Sequence, residues 1–332
     1  IIKELSGYKQ LSPTLSLSQA RINSKEVRKD DIFFAIKGKK NDGNKFVFQS
    51  FKKKASIAVV NRIKKNLKTN RQIKVKDSLK FLTDSSKIFR KNINTNIIAI
   101  TGSCGKTTLK ELLGKSLGKI SKVSISQKSY NNKYGVPLSL FNLNQSDDYG
   151  ILEVGMDKKG EIDYLSKIIQ PDVSVITNIN YAHAKNFKSI NHIALAKSEI
   201  INNTRANGFV VLNADDNFFK FHKNLAHKKH LSVVSFGIKN QKADIKLINT
   251  KRVGKKFNLN IKINKISRRF LVDNDFQNNN YNILASLAVM SIYVNILRLN
   301  RNIFIDFKIP QGRGENKKIR INNRNLNLID ES

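Results

Sequence analysis

Residues that can bind phosphate are concentrated in one stretch of the chain, residues 97–108, which read IIAITGSCGKTT. Glycines let the backbone approach phosphate oxygens closely, and the free N–H groups at a helix start point at anionic oxygens. Lys106 would reach the outer phosphates of a nucleotide, and the Thr107 hydroxyl would hold Mg²⁺. We therefore predict a loop whose contacts to a nucleotide come from consecutive residues: Gly102, Ser103, Cys104, Gly105, Lys106, Thr107 and Thr108.

Regular elements are predicted on both sides of this loop. Residues 97–100 form an apolar run typical of a short buried strand. After the loop, leucines recur at helical spacing, so a helix begins near Gly105: Leu109, Leu112, Leu113 and Leu117. The general phosphate-loop pattern has a glycine where Ile100 stands, so this loop is a shortened form. A Gly-Lys-Thr turn without a nucleotide is the alternative, and the flanking strand and helix favour nucleotide binding.

Two further polar side chains follow predicted strands. Glu153 lies at the carboxyl end of a strand near residues 150–153, and His183 follows a strand near residues 171–179. Ligands of open α/β sheets bind at this edge, and a carboxylate suits the hard Mg²⁺ ion. The alternatives are a carboxylate that caps the next turn and a structural histidine.

Composition limits the class of protein. The chain has 332 residues, with 61 Lys and Arg against 25 Asp and Glu, a net charge of +36. Such a charge favours anionic partners, but the lysines are spread along the chain and no nucleic-acid-binding module is recognisable. The single cysteine excludes an internal disulfide and suits a reducing compartment, so we expect a cytoplasmic protein. No apolar run is long enough to span a membrane, and the start at Ile1 suggests a clipped N-terminus.

The pattern before the phosphate loop predicts a separate small α/β domain. Residues 31–36 and 55–60 read as strands, with a turn at residues 37–43 and a helix through Phe46, Phe48, Phe51 and Lys54 between them. The fold class we predict is α/β: this small domain, then a phosphate-loop domain with a mostly parallel sheet flanked by helices. Alternating residues from 244 to 272 predict antiparallel strands at the sheet edge, and a helix start is predicted at residues 194–200.

The order of motifs resembles the Mur ligases, the ATP-dependent amide-bond ligases of peptidoglycan precursor synthesis, and their folate ligase relatives. The resemblance rests on TGSCGKTT, YNNKYGVP, EVGMDKKGEI, TNINYAH, AKSEI and the helix that begins at Asn282. It implies three domains: residues 1–92 bind a UDP-sugar peptide, residues 93–313 bind ATP, and residues 314–332 begin a C-terminal domain that the chain otherwise lacks.

The resemblance also implies roles for individual residues. It places the UDP-sugar peptide on Ser24, Lys25, Asp42, Gly43, Asn131 and Asn132, and adds Asn282 and Arg313 to the ATP contacts. It implies two Mg²⁺ sites, with ligands Thr107, Glu153, His183 and a carbamylated Lys197, and catalytic roles for Lys106, Lys197 and His183. The chain departs from the family pattern where Lys25 replaces arginine and where Asn44 and Asn278 replace histidine.

The implied activity is addition of D-alanyl-D-alanine to UDP-N-acetylmuramoyl-tripeptide through an acyl phosphate, by a monomer with no nucleic-acid partner. This reaction would serve peptidoglycan synthesis and thereby cell shape and division. Because the third domain binds the incoming amine in the family, we expect the chain as printed to bind ATP but to turn over poorly. The alternatives are a basic phosphate-loop NTPase acting on nucleic acid, another Mur or folate-type ligase, and a nucleotide-binding remnant with a regulatory role.

Overall fold

A computed structural model describes residues 16–38, 41–181, 186–273 and 279–310, together with the backbone of residues 315–321 and 324–330. Contacts group the chain into two units. The first contains residues 1–94 and 133–145, and the second contains residues 95–132 and 146–332. The three domain limits named above stay a prediction.

The helices and strands follow one another along the chain. Their bounds are β1 Ala20–Arg21, β2 Ile32–Phe34, α1 Val47–Lys52, β3 Ile57–Val60, β4 Gln72–Lys74, α2 Ser78–Lys91, β5 Asn96–Thr101, α3 Lys106–Leu117, β6 Val123–Ile125, α4 Gly135–Phe141, β7 Tyr149–Glu153, α5 Glu161–Ile169, β8 Val173–Ile176, α6 Ile190–Asn202, β9 Phe209–Asn213, α7 Phe219–Lys228, β10 Ser232–Gly237, β11 Ile245–Val253, β12 Lys256–Ile263, β13 Ile266–Asp273, α8 Asn280–Tyr293, β14 Glu315–Ile321 and β15 Arg324–Asp330. Short 3-10 turns lie at Ser24–Glu26, Gly43–Phe46, Thr69–Arg71 and Ile296–Arg298.

The first unit is built on a parallel sheet in the order β1-β2-β3-β4. Aromatic side chains fill its core: the ring of Phe141 on α4 lies 6.3 Å from that of Phe34 and 5.8 Å from that of Phe89. Edge-to-face pairs of this kind stabilise a core beyond their buried area. Helix α4 therefore belongs to the first unit, although it follows the phosphate loop in the sequence.

The second unit contains a sheet in the order β13-β12-β11-β10-β9-β8-β5-β7-β6. The seven strands β5 to β11 pair in parallel, whereas β11, β12 and β13 pair antiparallel at the edge, as predicted from their alternation. The leucines of α3 are fully buried against this sheet. Since β5 lies between β7 and β8, the segments that follow these three parallel strands start from one edge of the sheet.

The predicted fold class is confirmed, and some local predictions were wrong. The predicted helix start at residues 194–200 lies inside α6, which begins at Ile190 because the Ser189 side chain accepts the His192 N–H and caps it. The helix predicted through Lys54 ends at Lys52, and Lys54 adopts a φ of 68°. Strands β14 and β15 pair antiparallel with each other in a sheet of two strands. Within the described residues, no helix has the length and apolar character needed to cross a membrane.

Candidate nucleotide and metal site

The phosphate loop connects β5 to α3 through two glycines with positive φ. Gly105 has a φ of 81° and is the N-cap of α3, so the first N–H groups of the helix face the loop. Gly102 has a φ of 147°, and a Cβ there would lie 1.9 Å from Thr177 Oγ1. Both positions therefore require glycine, for backbone conformation at each and for space at Gly102.

The segment after β8 holds the loop in shape. The Ser103 and Cys104 N–H groups donate to the backbone oxygen and side-chain Oδ1 of Asn178, each at 3.0 Å. Thr177 Oγ1 donates to the Cys104 carbonyl at 2.7 Å, and Ser103 Oγ donates to the Asn180 carbonyl at 2.9 Å. The sequence pattern predicts no role for Thr177 or Asn178, although both lie in the TNINYAH motif. Their contacts show that the start of this motif shapes the loop.

Thr107 and Glu153 meet across the adjacent strands β5 and β7. The Thr107 hydroxyl donates to Glu153 Oε2 at 2.8 Å, and Asn131 Nδ2 donates to the other carboxylate oxygen at 2.8 Å. The Glu153 side chain is buried, with a residue exposure of 1%. A hydroxyl and a carboxylate oxygen at this distance form part of the all-oxygen ligand set that Mg²⁺ requires. The residues present therefore fit a magnesium ion next to the phosphate loop.

Two lysine side chains lie at the phosphate loop. Lys106 Nζ donates to the loop carbonyls of Gly102 and Ser103, at 2.8 and 3.2 Å. Lys197 on α6 is 2% exposed, and burial, followed by the charge of Lys106, lowers its pKa to about 7, while Cys104 acts in the opposite direction. Burial disfavours the charged amine, and a neighbouring cation disfavours it further. Lys197 is therefore close enough to the phosphate loop to interact with both Lys106 and Cys104.

Other predicted ATP residues lie close by or outside the described residues. Asn282 at the start of α8 is adjacent to Gly105, because a Cβ on Gly105 would lie 2.9 Å from Asn282 Oδ1. Thr108 is buried in the first turn of α3. His183 and Arg313, together with Asn278, lie outside the residues that the structure describes. Among the described residues, no group of three or more His, Cys, Asp or Glu side chains could hold a metal ion.

The carboxylates that follow β9 are satisfied by the chain itself. Asp215 accepts the successive N–H groups of residues 238, 239 and 240 at 2.6 to 2.9 Å and the Tyr281 hydroxyl at 3.0 Å. Burial acts to raise the pKa of Asp215, but these hydrogen bonds together hold it below its usual value. Asp216 accepts the Ile179 N–H at 2.7 Å. Both carboxylates therefore stabilise loops between strands.

The substrate residues predicted in the first unit contact one short helix. Ser24 is 6% exposed, and its hydroxyl donates to Gln49 Oε1 on α1 at 2.7 Å. Gly43 begins the 3-10 turn that runs into α1, and a Cβ there would lie 2.6 Å from the Ile36 nitrogen. Lys25 is exposed. The two segments are thus anchored to the start and middle of α1.

Asn44 has a structural role in this unit. It is 5% exposed, its side-chain oxygen accepts the Asn61 N–H at 3.1 Å, and its Nδ2 donates to Asp42 Oδ1 at 2.8 Å. Asp42 also caps the turn by accepting the Asn44 N–H, and these two bonds lower its pKa. The asparagine at the family's histidine position therefore fixes the turn that carries Asp42 and Gly43. The exposed Asn132 directly follows Asn131, the residue that contacts Glu153.

Comparison with known proteins identifies relatives along the chain. The Mur ligase middle domain model matches residues 100–290. The UDP-N-acetylmuramoyl-tripeptide--D-alanyl-D-alanine ligase of Rickettsia prowazekii is 32% identical over 313 residues, covering 92% of this chain and 68% of the relative. The enzyme of that name from Buchnera aphidicola subsp. Acyrthosiphon pisum is 35% identical over 230 residues, covering 69% of this chain and 49% of the relative.

Solved structures agree with these relatives. A crystal structure of MurF from Acinetobacter baumannii superposes with a TM-score of 0.82 at 26% identity, covering 100% of this chain and 72% of that chain. MurF ligase from Thermotoga maritima in complex with ADP superposes with a TM-score of 0.77 at 26% identity, covering 97% and 72%.

The geometry and the comparisons lead to the same assignment. The loop after β5 is shaped by two obligatory glycines, and the helix that follows it places Thr107 against Glu153 at the end of β7. The middle-domain model covers the segment that contains these residues. The chain belongs to the Mur ligase family.

Proposed function

We propose that this chain carries the nucleotide and UDP-sugar-peptide sites of an ATP-dependent ligase that adds D-alanyl-D-alanine to UDP-N-acetylmuramoyl-tripeptide. The observation that carries the proposal is the contact between the Thr107 hydroxyl and the buried Glu153 carboxylate, with two lysines at the same loop. The names of the relatives from Rickettsia prowazekii and Buchnera aphidicola supply the substrates.

The chemistry divides into two displacements. A carboxylate oxygen of the tripeptide attacks the γ-phosphorus of ATP, the O–P bond forms, and ADP leaves. The amine of D-alanyl-D-alanine then attacks the acyl carbon, phosphate leaves, and the new amide loses a proton. Lys106 stabilises the charge on the transferring phosphoryl group, exchanging two neutral loop carbonyls for anionic oxygens that bind an ammonium more strongly.

Thr107 and Glu153 are the residues that would hold magnesium. When bound, the ion neutralises charge on the phosphate oxygens. Asn131 keeps one carboxylate oxygen of Glu153 in place, so the other faces the Thr107 hydroxyl. His183 and a carbamylated Lys197 form the second site in this proposal.

Carbamylation of Lys197 requires its neutral amine. The amine nitrogen attacks the carbon of CO₂, an N–C bond forms, and a proton is released. A pKa near 7 makes a large share of the amine neutral at physiological pH, which supports this role. Added bicarbonate should stabilise the metal-loaded wild-type protein and leave Lys197→Met unchanged. Equal shifts in melting temperature for both proteins would argue against the carbamate.

The first unit would bind the UDP end of the substrate. Ser24 and Gly43 are anchored to α1, the exposed Lys25 provides a cation for a phosphate, and Asp42 lies in the turn next to Gly43. A lysine loses the bidentate geometry of arginine but keeps the charge. Ser24→Ala should therefore weaken binding of UDP-N-acetylmuramoyl-tripeptide without changing the affinity for ATP.

Nucleotide affinity, measured with and without magnesium, tests the proposal. Lys106→Met should weaken ATP binding in both conditions, because the ammonium contacts phosphate directly. Thr107→Val should remove only the part of the affinity that magnesium adds, since its backbone N–H remains. Calorimetry with UDP-N-acetylmuramoyl-tripeptide and with the corresponding dipeptide separates this activity from those of other Mur ligases. Absence of magnesium-dependent ATP binding, or a preference for the dipeptide, would refute the proposal.

The nucleic-acid alternative makes a different prediction. With a net charge of +36, the chain would bind DNA or RNA with an affinity that falls steeply with salt. On our proposal, nucleic acid neither stimulates ATP hydrolysis nor changes ATP affinity at physiological salt.

A further inference from the structure

Lys110 is a buried charge that the proposed chemistry does not use. It lies on α3, has an exposure of 0%, and its Nζ donates to the carbonyls of Ser126 and Lys128 at 2.7 and 2.6 Å. Glu111 Oε1 lies 3.1 Å from the same nitrogen. Three oxygens therefore surround an ammonium that has three protons to donate. A buried charge is tolerated only with such partners.

The loop that Lys110 contacts, residues 126–131, is hydrogen-bonded to the candidate magnesium ligand Glu153. Ser126 Oγ accepts the backbone N–H of Glu153 at 3.3 Å, and Asn131 donates to its carboxylate at 2.8 Å. The Asn131 carbonyl also accepts the Gly155 N–H at 2.8 Å. Residues 126–131 thus hold Glu153 by its backbone and by its side chain.

The backbone of this loop is constrained at the contact itself. Lys128 has a φ of 49°, a conformation that residues other than glycine rarely adopt. Such a conformation persists only when surrounding contacts fix it. The bond from Lys110 to the Lys128 carbonyl is one of those contacts.

We propose that Lys110 is a positioning residue that fixes residues 126–131 to α3, so that Asn131 orients the Glu153 carboxylate toward Thr107. Because Thr107 and Lys110 lie on the same helix, one rigid element supplies one candidate ligand directly and orients the other through the loop. The consequence for magnesium rests on the proposed function, whereas the effect on the loop does not.

Hydrogen exchange of the nucleotide-free protein tests the effect on the loop. Lys110→Met should raise exchange of the amides of residues 126–131, and Lys115→Met is the matched control. Lys115 lies on the same helix and donates to the Asp306 carbonyl, away from this loop. Mutation of a residue that hydrogen-bonds a metal ligand typically lowers metal affinity about tenfold or more. We therefore expect Lys110→Met to reduce the gain in ATP affinity that magnesium provides by about tenfold. The affinity for ATP measured in EDTA should stay unchanged.

The two measurements separate the outcomes. Faster exchange in residues 126–131 together with weaker magnesium dependence of ATP binding supports the proposal. If Lys110 acts through Asn131, adding Asn131→Ala to Lys110→Met should cause no further loss of magnesium dependence. Wild-type exchange or wild-type magnesium dependence in Lys110→Met overturns it. If the wild-type protein binds no Mg–ATP, the proposed function fails, and exchange alone decides whether Lys110 fixes the loop. Should Lys110→Met not fold, Lys110→Gln takes its place, and unfolding of both variants overturns a local role.

Discussion

Replacing Lys197 with methionine should make the stability of the protein less dependent on pH above neutrality. Burial and the charge of Lys106 lower the pKa of Lys197 from 10.5 to about 7 in the folded protein. Between these two values, the unfolded chain holds a proton on Lys197 that the folded chain has released. The free energy of unfolding of the wild-type protein therefore rises with pH across this interval, and below pH 7 this gain is absent.

The size of the effect follows from the shift. Each pH unit over which the unfolded state binds one extra proton adds about 1.4 kcal/mol to the free energy of unfolding. The folded amine is already half deprotonated near pH 7, so the interval from pH 7 to pH 8 adds less than this amount. From pH 7 to pH 9, the Lys197 contribution is about 2 kcal/mol. Methionine has a similar length and carries no proton, so Lys197→Met lacks this contribution at every pH.

Urea unfolding of the metal-free protein in CO₂-free buffer at pH 7, 8 and 9 measures the difference. The free energy of unfolding of wild type minus that of Lys197→Met should increase by about 2 kcal/mol across the series. Lys188→Met is the control, because Lys188 is exposed shortly before α6 begins. A difference that stays constant with pH, or that falls as pH rises, would refute the buried position and low pKa of Lys197.

Three other substitutions or reactions test the site. Gly102→Ala would place a Cβ 1.9 Å from Thr177 Oγ1 and should reduce ATP affinity severely. Gly160→Ala is the control: Gly160 has a φ of 89° and no atom within 4 Å of the added Cβ, so this variant should lose only about 1 kcal/mol of stability. Equal ATP affinities for the two variants would contradict this prediction. Glu199 caps α5 by accepting the Gly160 N–H at 2.9 Å, so Glu199→Gln should lower the free energy of unfolding by about 1 to 2 kcal/mol, and no change in urea unfolding would count against the cap. Alkylation of the exposed Cys104 thiol should slow in the presence of Mg–ATP, and mass spectrometry showing equal rates would place this thiol away from the bound nucleotide.

Local patterns were sufficient to predict the centre of the site. An apolar run before two glycines and leucines at helical spacing after them define β5 and α3, because each element follows from short-range periodicity. Glu153 could be placed at the loop edge, since the ends of neighbouring parallel strands meet there.

Contacts that depend on the choice of tertiary partner could not be predicted. Helix α4 follows the phosphate loop in sequence but packs with α2 in the first unit, and no local pattern specifies that partner. Lys110 reads as an ordinary solvated helical lysine, and only the fold reveals that it is buried. The family resemblance implied a role for Lys197, but its burial is seen only in the fold. His183 and Arg313 lie outside the described residues.

The way Asp215 is used has a consequence for where polyphosphate can bind. Three successive backbone N–H groups in one turn form a concave anion receptor, and a chain with a net charge of +36 draws phosphate toward any such receptor. Here the receptor is filled by the carboxylate of Asp215, which also retains the Tyr281 hydroxyl. Because the Asp215 side chain occupies this turn, the turn is not a second binding site for polyphosphate beside the loop after β5.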